Sequence, residues 1–150
     1  MASMSAGILM FRRTEDGILV LLVHPGGPFW RNRDLGAWSI PKGEFQPGDE
    51  PEKAARREFA EELGIEPTGP MRPIGQVRQR GGKTVVAYAL EGTLDVANVH
   101  SNKVPIEWPP RTGRTIYVPE IDRAEWFALP LARQKILAGQ LPFLDRLEQL

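Results

Sequence analysis

Apolar residues run almost without interruption over residues 5–13, SAGILMFRR, and again over residues 18–24, ILVLLVH. Runs of this kind fit strands covered on both faces, where neither side of the pleat needs polar residues. Glu15-Asp16-Gly17 supplies a turn between them, and Pro25-Gly26-Gly27-Pro28 ends the second and opens a loop holding Phe29 and Trp30. Residues 36–40 read as a short extended segment leading into Pro41-Lys42-Gly43. Over residues 51–63 the period changes: Ala55, Phe59 and Leu63 recur at helical spacing, and Gly64 stands where a helix C-cap belongs. Further strands are predicted at 74–80 and 84–91, joined by Gly81-Gly82, and at 124–128, where the alternation turns Trp126 toward the core. Helices are predicted at 132–138 and 143–150, with Pro142 starting the second. Between them, residues 94–115 break every pattern with Pro105, Trp108, Pro109, Pro110 and Gly113. A connection this long in a small domain is functional or mobile. Strands bracketing one helix, followed by a helical C-terminus, predict an α/β fold with a mixed sheet packed between helices, in one domain over 1–150.

Composition narrows the function classes. The 150 residues carry 19 basic and 19 acidic side chains, for a formal charge of zero, with no long run of one sign. Bulk electrostatics would then hold the protein to neither nucleic acid nor a membrane surface. The absence of cysteine removes disulfides, thiolate catalysis and zinc–thiolate sites, and two well-separated histidines, His24 and His100, make zinc chemistry a poor fit. His24, just before a turn, reads as a cap on its strand end. The opening MASMSAGILMFRR puts its arginines after a short apolar run, the reverse of a secretory leader. No stretch approaches the ~18 apolar residues of a membrane span. The expectation is a cytoplasmic protein.

The predicted helix at 51–63 holds the densest chemistry. At about 100° per residue, Glu58 and Glu62 lie roughly 40° apart and Glu61 roughly 60° to the other side, so three carboxylates share one face. Like charges at this spacing destabilise a bare helix by a few tenths of a kcal/mol per pair, roughly, which calls for a positive group on that face. A hard divalent cation such as Mg²⁺ suits oxygen ligands and shares them readily with phosphates. The competing reading is an ordinary amphipathic helix with a solvated acidic face.

Residues 43–65, GEFQPGDEPEKAARREFAEELGI, resemble the signature of the Nudix hydrolases: Gly43, five residues, an acidic residue, seven residues, then Arg57-Glu58-Phe59-Ala60-Glu61-Glu62-Leu63-Gly64-Ile65. One fixed position departs, since Asp49 stands where that family usually has Glu. Asp49 keeps the charge on a shorter stem and lies three residues before Glu52, which suits a helix N-cap with a capping-box partner. Its other reading is a contribution to the metal site through water.

The resemblance implies a Nudix-like α/β/α sandwich and metal-dependent hydrolysis of a diphosphate linkage in a nucleoside diphosphate linked to another group. It assigns Glu58, Glu61 and Glu62 to the metal, with Gly43 bringing its turn against them, and Mg²⁺, or Mn²⁺ in its place, as the cofactor. Arg57 would orient a glutamate through a salt bridge. Glu58 is the first choice for general base, with Glu107 and Glu120 as loop candidates. Lys42 could hold a phosphate oxygen. Trp30, Trp38 and Trp108 are candidates for stacking on a base, a contact contributing about 1–3 kcal/mol. Arg12, Arg78, Arg80, Arg111 and Arg114 are further candidates for phosphate contacts. The lead-in Trp38-Ser39-Ile40-Pro41-Lys42-Gly43 resembles enzymes acting on dinucleoside polyphosphates or diphosphoinositol phosphates, and nucleoside triphosphates are a close competitor. The scattered arginines favour nucleotides. The partner is then a small phosphoanhydride substrate, with nucleic acid and membrane disfavoured. Members of the family are often dimers, so a homodimer is among the expectations, as is a Nudix-fold binding module without turnover.

Overall fold

In the computed structural model, which describes residues 3–150, a mixed sheet runs between two helical layers. Met1 and Ala2, where the stretch compared with a secretory leader begins, lie outside the described residues. Strands β1 (Met4–Thr14) and β2 (Gly17–Pro25) form an antiparallel pair, followed by the short β3 (Lys42–Glu44) and helix α1 (Pro51–Leu63). Then come β4 (Met71–Arg78), β5 (Thr84–Glu91), β6 (Lys103–Glu107), β7 (Thr115–Pro119) and β8 (Ile121–Ala128), and the chain closes with α2 (Leu129–Lys135) and α3 (Leu141–Glu148). The sheet order is β4-β5-β1-β2-β8, with β1 and β5 parallel and the other neighbours antiparallel. β3 pairs with the start of β1, placing Gly43 opposite Ala6 and Lys42 opposite Gly7.

The uninterrupted apolar runs are explained by two cores, one on each face of the sheet. Ala6, Ile8 and Met10 of β1 point to the α1 side, where Phe59 and Leu63 meet Leu21 and Val23. Leu9 and Phe11 point the other way, onto Phe143, Leu144 and Leu147 of α3 and onto Trp38 and Phe127. Alternate residues of one strand thus serve opposite cores, as the period of the pleat dictates.

α1 spans the expected residues and ends at Gly64, whose left-handed conformation (φ 72°) lets its N–H reach Ala60 O at 2.7 Å. Its start corrects one expectation: Glu50, not Asp49, is the N-cap, and no side chain caps the helix. The Asp49 carboxylate instead accepts the Gln46 N–H at 3.0 Å, closing the turn ahead of α1. The stretch read as irregular, 94–115, contains β6 and leads into β7, which pair as a separate two-stranded ribbon, and a 3₁₀ turn at Val96–Asn98. The first C-terminal helix begins at Leu129, three residues earlier than predicted. It releases Ile136 to bridge Trp38, and Leu137 N–H donates to Trp38 O at 2.8 Å.

Candidate active site

β3 and α1 bring the carboxylates together through two contacts, one steric and one polar. A Cβ at Gly43 would lie 2.0 Å from Glu58 Oε2, so the Glu58 carboxylate occupies the space that any other residue's side chain would fill. One helical turn on, Glu62 Oε2 accepts the Lys42 backbone N–H at 3.0 Å. Adjacent residues of one three-residue strand thus seat two glutamates from successive turns of the helix. Arg57 reaches back to Glu58 Oε1 at 3.4 Å, while Glu61 on the same helix points into solvent.

The electrostatics follow from this placement. Glu62 is 5 % exposed, and burial, reinforced by Glu120 and only partly offset by the Lys42 N–H, pushes its carboxyl up to about 8. Burial also raises the Glu58 carboxyl, with the charge of Glu61 adding to the effect and Arg57 opposing it. Burial lowers the Lys42 ammonium, as does nearby Lys83. Lys42 and Glu62 line a cavity of about 250 Å³ whose walls also include Trp30, Ser39 and Glu120. Glu120 arrives from the corner between β7 and β8, where its backbone is held by Asn102 O at 2.9 Å and by the Gly26 N–H at 3.1 Å.

The donor chemistry fits a hard divalent cation: buried or half-buried carboxylate oxygens, no thiolate, and local repulsion that a cation would relieve. Among the described residues no three His, Asp or Glu side chains are already drawn together tightly enough to hold a metal. Glu62 and Glu120 line the cavity, Glu58 lies one helical turn before Glu62 against Gly43, and Glu61 is exposed.

The other sequence-predicted residues separate cleanly. Trp30 is half-buried, stands edge-on to Phe29 at 5.0 Å, and lines the cavity. Trp38 does not belong to a substrate surface. It is 1 % exposed, packs edge-on against His24 and Phe127 at 5.1 and 5.0 Å, and donates its N–H to Asp34 Oδ1, so neither ring face is free to stack. Glu107 is also removed as a base, because its carboxylate accepts the N–H groups of Arg111 and Gly113 and closes the β6–β7 turn. Arg12 stacks over Trp126, a half-buried ring packed beside the α1-side core. His24 does more than cap a strand end: it is fully buried, with Nδ1 2.8 Å from Asp122 and Nε2 donating to Arg33 O at 2.6 Å. Arg31 and Tyr117, which no pattern had singled out, line a second and larger cavity beside the first, together with Trp108.

Compared with models of protein families, the chain matches the NUDIX domain over residues 1–147. Among solved structures, a Caenorhabditis elegans Ap4A hydrolase binary complex superposes with a TM-score of 0.66 at 21 % identity, covering 99 % of this chain and 96 % of that one. The NUDIX domain of Shewanella oneidensis NrtR complexed with ADP ribose gives 0.65 at 18 % identity, covering 99 % and 88 %. The MutT protein from Methanosarcina mazei gives 0.63 at 22 %, covering 99 % and 94 %. At these identities the structures speak for the fold. A comparison with curated protein sequences finds no match. With the family model spanning nearly the whole chain, and Glu58 of the signature seated against the glycine of β3, the chain belongs to the Nudix hydrolase family.

Proposed function

We propose that the protein hydrolyses a diphosphate linkage in a nucleoside diphosphate linked to another group, with a nucleoside triphosphate or dinucleoside polyphosphate as substrate. The observation that carries this reading is the seating of Glu58 on Gly43 and of Glu62 on the Lys42 N–H at the edge of a cavity that also holds Trp30. Glu58 and Glu62, with Glu61 nearby on α1 and Glu120 opposite, would hold Mg²⁺ or Mn²⁺. When bound, the cation neutralises phosphate charge and aligns the linkage with an attacking water.

The chain's own groups do the rest. The Glu58 carboxyl, raised by burial, is the better proton acceptor for it, and the Arg57 guanidinium at 3.4 Å fixes its orientation. Glu120, which shares the cavity wall, is the second candidate base. Lys42, held in the same wall, supplies a cation to a phosphate oxygen. An inositol polyphosphate is the weaker reading, because Lys42 is the one cationic side chain among the described residues lining this cavity, beside two acidic ones. The Ap4A hydrolase and the ADP-ribose-holding NUDIX domain among the structural relatives support a nucleotide.

The test is Glu62→Gln, assayed for product release from nucleoside triphosphates, dinucleoside polyphosphates, nucleotide sugars and diphosphoinositol phosphates. Loss of turnover by at least roughly a hundredfold with an unchanged circular dichroism spectrum is expected of a carboxylate that acts only when metal and substrate are in place. Turnover surviving the substitution would remove Glu62 from the site. Wild-type silence toward every compound would favour a binding module.

A further inference from the structure

The larger of the two cavities, about 520 Å³, contains none of the α1 carboxylates and opens between the loop after β2 and the β6–β7 ribbon. Gly27 and Arg31 come from the loop, Trp108, Ile116 and Tyr117 from the ribbon, and Asp122 from β8. Its volume falls in the range of small-molecule sites. Its wall combines two large aromatic groups with one cation and one carboxylate. Tyr117 is 68 % exposed, although it sits in an apolar strand run, Ile116-Tyr117-Val118. Arg31 makes no ion pair or side-chain hydrogen bond with another described residue, unlike Arg33, which folds onto the Phe29 ring at 4.3 Å.

This cavity is a neighbour of the metal-helix cavity across a thin, rigid wall. Pro25, Glu120 and Ile121 line the first cavity, and Gly27, Pro119 and Asp122 line the second. Consecutive Cα atoms are about 3.8 Å apart, so the β7–β8 corner presents one residue to one cavity and the next to the other, and the loop after β2 does so two residues apart. They are locked together. Gly26 N–H donates to Glu120 O at 3.1 Å, and a Cβ on Gly26 would fall 2.0 Å from Pro119 O, an approach only glycine permits. From behind, His24 ties Asp122 to Arg33 and so fixes the loop that carries Arg31.

We propose that the second cavity binds the nucleobase of the substrate, with Trp108 and Tyr117 as the stacking surfaces and Arg31 as the cation for the adjoining sugar-phosphate. The proposal rests on the nucleotide reading of the first cavity and adds where the base goes. A nucleotide whose phosphates occupy the first cavity would carry its sugar and base past the Gly26–Pro119 wall into the second. A base has a π-face for each aromatic wall, whereas an inositol ring has none.

The experiment compares Tyr117→Ala, Trp108→Ala, Trp108→Phe and Arg31→Gln with wild type in two assays. In the first, kcat/KM is measured with Mg²⁺ for ATP, for diadenosine tetraphosphate and for base-free inorganic tripolyphosphate. The alanine variants should lose roughly ten- to a hundredfold on the nucleotides and little on tripolyphosphate, with Trp108→Phe recovering most of the loss, as expected for stacking. The second assay needs no turnover: equilibrium binding of adenosine, guanosine and uridine monophosphates to the metal-free chain. At least one should bind wild type and lose about tenfold or more in Tyr117→Ala, by the same stacking argument. Because Tyr117 is exposed, that variant keeps its fold if any does. Equal losses on tripolyphosphate and nucleotides, or no nucleotide binding by wild type, would overturn the assignment. So would an effect of Tyr117→Ala on self-association in place of binding, since the surface would then belong to a second copy. If no nucleotide is hydrolysed at all but the monophosphates bind through Tyr117, the reaction is misread and the base site stands.

Discussion

At the residue scale the site depends on what Gly43 lacks. Any side chain there meets Glu58 Oε2 at 2.0 Å, so Gly43→Ala must move the glutamate or the strand. The expected outcome is a loss of turnover of roughly tenfold or more, the scale of displacing a positioned group by about an ångström. β3 is a short edge element, so thermal stability should change far less, and paired kinetics and melting curves measure both. Glu62 gives a pH signature. Its carboxyl sits near 8 when folded, raised by burial from an ordinary value of 4.5, so between those values the folded chain holds a proton that the unfolded chain has lost. The unfolded state therefore binds fewer protons, and this contribution to stability is complete below about 4.5 and is lost as pH rises through about 8. In chelator, wild type should lose stability across that window relative to Glu62→Gln, as read by denaturant melts at fixed pH. Parallel profiles would remove the buried proton from the account. Trp38 teaches the converse lesson. The short extended segment that holds it stands beside a loop and shows no core pattern, but a bridge to Ile136 and the packing of Phe127 bury it, and both contacts come from distant parts of the chain.

At the scale of elements, the parts legible in the sequence are those that bury a face. β1 and β2 were visible because both of their faces meet a core, and α1 because Phe59 and Leu63 form its buried stripe. Phe59 is fully buried, and Phe59→Ala should cost about 3–5 kcal/mol, the usual range for a core phenylalanine, as measured by urea unfolding. The β6–β7 ribbon was hidden for the opposite reason. Its strands are five residues each, mostly exposed or half-buried, and Pro105 interrupts the first, so the alternation of Val104 and Ile106 is too short to mark a strand. Glu58, Glu61 and Glu62 are close together on one helix and can be read as a motif. Glu120 cannot, because the β7–β8 corner alone brings it to the cavity, and nothing in its local sequence separates it from Glu107. Asp49 had the spacing of a cap, but the chain turns one residue later and uses its carboxylate to hold Gln46 instead.

For the whole molecule, the two-cored sandwich holds a platform on which one helix presents the carboxyl groups of Glu58, Glu61 and Glu62, of which Glu58 alone has a cationic side chain within ion-pair distance among the described residues. No helix among the described residues is long and apolar enough to cross a membrane. A cation that binds only the folded chain should therefore stabilise it by mass action, by about 2.7 kcal/mol at a hundred times its Kd. In a domain of this size that corresponds to a rise in Tm of roughly 5–10 °C. Mg²⁺ or Mn²⁺ should raise the Tm of wild type and fail to raise that of Glu62→Gln, which differential scanning calorimetry reads directly.

The most direct test of the central claim is product release by the wild-type chain from nucleoside triphosphates and dinucleoside polyphosphates, with Mg²⁺ and then with chelator in excess. Cleavage at a diphosphate linkage that needs the metal and stops with chelator is the predicted result. Cleavage that continues in chelator, or none from any nucleotide by a correctly folded chain, would contradict it.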